Sequence, residues 1–79
     1  MITLKNVRKE NNIIYADYYP ENSKKFSQIS YDIENDIFEG KLVGDCKQET
    51  RHHLGHAKWA LWDMAEGKRP IKDCTIMWV

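Results

Sequence analysis

No stretch of this sequence approaches the roughly 20 consecutive apolar residues that a membrane-spanning helix needs. Residues 1–6 open no apolar segment of signal-peptide length, so the chain reads as a cytoplasmic protein with no membrane contact. Net charge is also missing: 12 basic and 12 acidic side chains cancel. That removes the positive field that usually marks a nucleic-acid binder. Cys46 and Cys74 are too few for a disulfide framework, and buried reduced thiols are the expectation for both. A bridge between them would need their backbones within about 7 Å. The 4 glycines are scattered and form no phosphate-cradling loop.

What is present fits one domain spanning residues 1–79. A chain this short buries only about 60% of the surface that its unfolded form exposes. Its first half alternates like strands. Ile2, Thr3, Leu4 and Lys5 alternate apolar and polar, and residues 13–19 are rich in β-branched and aromatic side chains. Asn11 and Asn12 between them tolerate the left-handed backbone of a tight turn. Pro20 lacks a backbone donor and ends the second strand. Residues 26–33 and 37–43 read as a further hairpin, with Ile29, Tyr31 and Ile33 on one side.

Residues 45–70 then read as a helix, with Asp45 and Gln48 as a capping box and with Gly67 and Pro70 as stop signals. The apolar ending, Cys74 to Val79, reads as a strand buried on both faces. One helix cannot bury itself alone, so it should pack on one face of the sheet. The expected class is α+β, two layers, with about five antiparallel strands in the order β-β-β-β-α-β.

The helix carries two stripes. Thr50, Leu54, Ala57, Leu61 and Met64 share an arc suited to a core, with His53 and Lys58 at its edges and Trp62 folding over its rim. His52, His56, Trp59 and Asp63 follow the same spacing on the face left to water. Tryptophan is enriched in interface hot spots, which makes this outer face the expected contact surface for a protein partner or a second copy.

The histidines also raise zinc, since His52 and His56 lie four apart and Glu49 stands one turn earlier. No third ligand is fixed by spacing: Asp63 lies about 10 Å beyond His56 along the axis. No metal or other cofactor is therefore expected. No nucleophile signature accompanies the cysteines, so the chain reads as non-enzymatic.

Asp32, Glu34, Asp36 and Glu39 mimic the opening of a calcium loop, but Ile37 stands where that loop requires glycine. Basic pairs at Arg8–Lys9, Lys24–Lys25 and Lys68–Arg69, with Tyr15, Tyr18 and Tyr19, sketch a sheet on which single-stranded bases can stack. The balanced charge and the missing ribonucleoprotein motif weigh against nucleic acid as the partner.

The segment from Ile29 to Gly40, the His56–Ala57 step beside Leu61 and Met64, and the ending Thr75 to Val79 resemble small proteins of low-GC Gram-positive bacteria and their mobile elements. That resemblance spans roughly the last two-thirds of the chain. It implies a compact cytosolic α+β domain with no assigned activity, and it carries over no site residue.

Overall fold

A computed structural model describes residues 1–44 and 47–77. Five strands and one helix follow in the order β1 (Ile2–Glu10), β2 (Ile13–Pro20), β3 (Ser27–Asp32), β4 (Ile37–Glu39), α1 (Arg51–Ala65) and β5 (Cys74–Ile76). The sheet order is β4-β3-β2-β1-β5, and every pairing is antiparallel. The two-layer α+β class expected from the sequence is the observed one.

Period-two alternation sorts the side chains of β2. Ile14, Ala16, Tyr18 and Pro20 are buried toward α1, while Ile13, Tyr15, Asp17 and Tyr19 look the other way. Leu4 pairs with Tyr18 and Ile2 with Pro20, so β1 continues the buried layer. Ile29 and Tyr31 on β3 extend it from the other side, opposite Ala16 and Ile14. His53, Ala57, Ala60, Leu61 and Met64 close the core from the helix.

Turn chemistry sets these registers. Asn11 and Asn12 both take positive φ, at 51° and 63°, as a tight two-residue hairpin turn requires. Asn6 also takes positive φ, at 54°, where the register of β1 slips between Lys5 and Arg8. Asp73 accepts from the Val7 amide at 2.9 Å beside that bulge. The acidic run forms a local turn: Asp32 accepts from the amide and the side chain of Asn35 at 3.1 and 2.9 Å. Those bonds hold the Asp32 carboxyl below its ordinary value.

Four details depart from the sequence reading. The helix starts at Arg51, not near residue 45, and Thr50 is its N-cap instead of a core residue. Asp45 lies outside the described residues, and Gln48 sits in a turn ahead of the helix. β4 is shorter than residues 37–43. β5 is half-buried on one side only, with Thr75 exposed and Met77 76% exposed. Among the described residues a single helix packs on one face of the sheet, so nothing covers the second face of β5. The Trp78–Val79 end of the expected strand lies outside the described residues.

Candidate functional site

Histidine takes the place usual for glutamate in the capping box of α1. Thr50 Oγ1 accepts from the His52 amide at 3.2 Å, and the Thr50 amide donates to His53 Nδ1 at 3.0 Å. Nδ1 is thereby the acceptor, so Nε2 carries the proton it donates to Glu21 Oε1 at 2.7 Å. This bond fixes the first turn of the helix against the β2–β3 turn. A second carboxylate does related work. Glu49 Oε2 accepts from the Tyr18 hydroxyl at 2.8 Å and from the Val43 amide at 2.9 Å, while Oε1 accepts from the Gly44 amide at 2.8 Å. Glu49 therefore ties together the segment before the helix and, through Oε2 and Tyr18, fastens it to the core.

Glu49, the carboxylate considered with His52 and His56 for zinc, thus stands ahead of the helix and accepts three hydrogen bonds. Among the described residues, no group of three or more histidine, cysteine and acidic side chains is arranged to hold a metal ion. Cys74 is a half-buried free thiol, and Cys46 lies outside the described residues.

At about 100° per residue, the buried side chains of α1 define one direction, and Gly55 points directly opposite. Arg51, Gly55 and Trp59 form a ridge at four-residue spacing along this outer face. Trp59 is 61% exposed. Its ring meets half-buried Trp62 edge-on, with centroids 5.4 Å apart and planes at 90°. Lys68 Nζ covers the ring of Trp62 at 4.8 Å, so Trp62 is held on one side while Trp59 stands free to touch a neighbour.

Three shallow clefts meet at Gly55. One of about 390 Å³ runs along Lys58, Trp59 and Trp62 toward Asp36. Another, about 360 Å³, lies between Leu54, Lys58 and Arg51 on the helix and Phe38 and Leu42 on the hairpin side. The third, about 240 Å³, is edged by Arg51, His52, His56 and Trp59. Thus His52, His56 and Trp59 share one cleft, as their spacing suggested. Asp63 lies on the same flank, half-buried, and lines none of the three.

Sequence reasoning missed Gly55, Arg51 and the hairpin wall. For Gly55 the signal was available: a glycine within a helix, far from either cap, asks for a reason. A Cβ built there meets nothing within 4 Å, so core packing does not supply one.

The opposite face of the sheet carries a second aromatic surface. Tyr19 and the half-exposed Phe26 lie with ring centroids 5.2 Å apart. Lys5 Nζ sits 5.0 Å from the Tyr19 centroid and the Arg8 guanidinium 5.1 Å from that of Tyr15. Tyr18 does not belong to this surface, because it is fully buried beneath the helix. No family model, curated protein or solved structure matches the chain.

Proposed function

We propose that this chain is a small non-enzymatic interaction domain that docks a protein through the outer face of α1. The observation that carries this reading is Trp59: a large indole left mostly exposed, braced edge-on by Trp62, at the mouth of an open cleft. Burying such a ring on a partner removes a large apolar area from water, and its few rotamers make the ordering cost small. His52 and His56 edge the same surface and supply polar rim contacts.

A photo-crosslinking residue placed at position 59 tests this. Crosslinks from position 59 that clearly exceed those from position 75, on the far edge strand, support the reading. Equal yields at the two positions, or none, reject it.

A second reading rests on Tyr15, Tyr19 and Phe26 with Lys5 and Arg8 on the open sheet face. These groups match a platform for single-stranded bases, although Asp17 pairs directly opposite Lys5 there and lowers the local positive field. An oligonucleotide affinity that falls steeply with salt supports it, and no affinity at low salt rejects it.

A further inference from the structure

Gly55 is the one position on the outer ridge of α1 where the fold gains nothing from lacking a side chain. Its backbone is helical, its Cβ would meet open space, and alanine is the better helix former. The missing Cβ leaves a notch in which the helix backbone itself is open to a neighbour. In the ridge, Arg51 stands four residues before the notch and Trp59 four residues after, each about 6 Å away along the axis. That arrangement is self-complementary.

We propose that two copies of this chain associate by crossing their α1 helices antiparallel, with the two Gly55 positions facing each other at the two-fold axis. The proposal rests on the docking reading above and names its partner. In an antiparallel crossing, Arg51 of each copy meets Trp59 of the other, which seats a guanidinium on an exposed indole twice over. A parallel crossing sets Arg51 against Arg51 and is disfavoured by like charge. Absence of the Cβ lets the backbones approach closely, so the flanking side chains reach across. The neutral chain adds no net repulsion between copies.

Sedimentation of the purified untagged protein over a wide concentration range tests this, with melting curves recorded on the same samples. The wild type is expected to be a dimer. Gly55→Ala is expected to fold, to melt about 4 °C higher at dilutions where both proteins are monomeric, and to dissociate about ten-fold more readily or worse. Gain of helix stability with loss of association is the signature, because a merely structural role moves both the same way.

Arg51→Glu and Trp59→Ala should weaken the dimer similarly. Should Gly55→Ala fail to fold, Trp59→Ala on the exposed ridge decides in its place. A wild type that stays monomeric at every concentration overturns the second-copy inference, as does a dimer indifferent to these substitutions. The docking reading is judged separately: crosslinking from position 59 to a different protein sustains it even when the chain is monomeric, and absence of any crosslink from position 59, to a second copy or to another protein, ends both.

Discussion

Glu21 gathers two donors on one oxygen: the Met1 α-amino group at 3.0 Å and His53 Nε2 at 2.7 Å. It does so from a left-handed backbone with φ at 47°, a conformation that costs a non-glycine residue energy. The hydrogen bond from His53, followed by that from the amino group, holds the Glu21 carboxyl below its ordinary value. A carboxylate whose folded pKa is depressed contributes stability above its unfolded pKa and loses it as pH falls through the folded one. Glu21→Gln should therefore lower stability at neutral pH and flatten the acid limb, read as urea midpoints from about pH 7 down to pH 3.

Tyr31 shows the opposite sign. Its hydroxyl donates to Asp36, and that bond raises its pKa to about 12. Here the stabilising contribution is present below the ordinary tyrosine value of about 10 and is lost as pH rises through the raised one. An ultraviolet titration should find Tyr31 ionising late in the wild type and earlier in Asp36→Asn.

Two glycines separate the needs of the elements from those of the surface. At Gly40, just past β4, a Cβ would lie 2.8 Å from Ile29 Cγ2 and 3.0 Å from the Phe38 ring. Ile29 is fully buried and cannot retreat, so Gly40→Ala should destabilise by about 1–3 kcal/mol. Gly55→Ala should instead stabilise by about 1 kcal/mol, as the open space around it allows. Chemical denaturation of both variants checks the pair, and equal signs would sink the argument.

The strands were legible because burial on one face imposes a period of two, which β2 obeys along its whole length. Helix onset was less so. Thr50, with His53 three residues on, forms an unusual capping box, and the Glu49 bonds that place it reach to Tyr18, far off in sequence. Grouping Tyr18 with Tyr15 and Tyr19 overlooked the period of two, which sets Tyr18 inward with Ile14 and Ala16 and leaves its hydroxyl in need of a partner. The two-sided burial expected of the last strand failed because the described helix packs on one face of the sheet and leaves the other open.

For the whole molecule, one helix on a five-stranded sheet leaves two surfaces facing away from each other across a single core. The outer ridge of α1 presents Trp59 on one side, and the open sheet face presents Tyr15 and Tyr19 on the other. No side chain belongs to both, and the fully buried layer of Ile2, Leu4, Ile14, Ala16, Ile29 and Leu61 stands between them. Coupling between them would need a core with two arrangements, and a small close-packed core resists that. The two surfaces should therefore behave independently.

Association also ties stability to concentration, because a dimer that forms only from folded chains is favoured by mass action. The melting midpoint of the wild type should rise as protein is concentrated, and that of Trp59→Ala should stay level. Tyr19→Ala removes an aromatic from the far face and should keep the concentration dependence of the wild type. Calorimetry at two concentrations roughly a hundred-fold apart reads all three proteins. If Tyr19→Ala abolishes the dependence while Trp59→Ala preserves it, the contact surface is the sheet and not the helix.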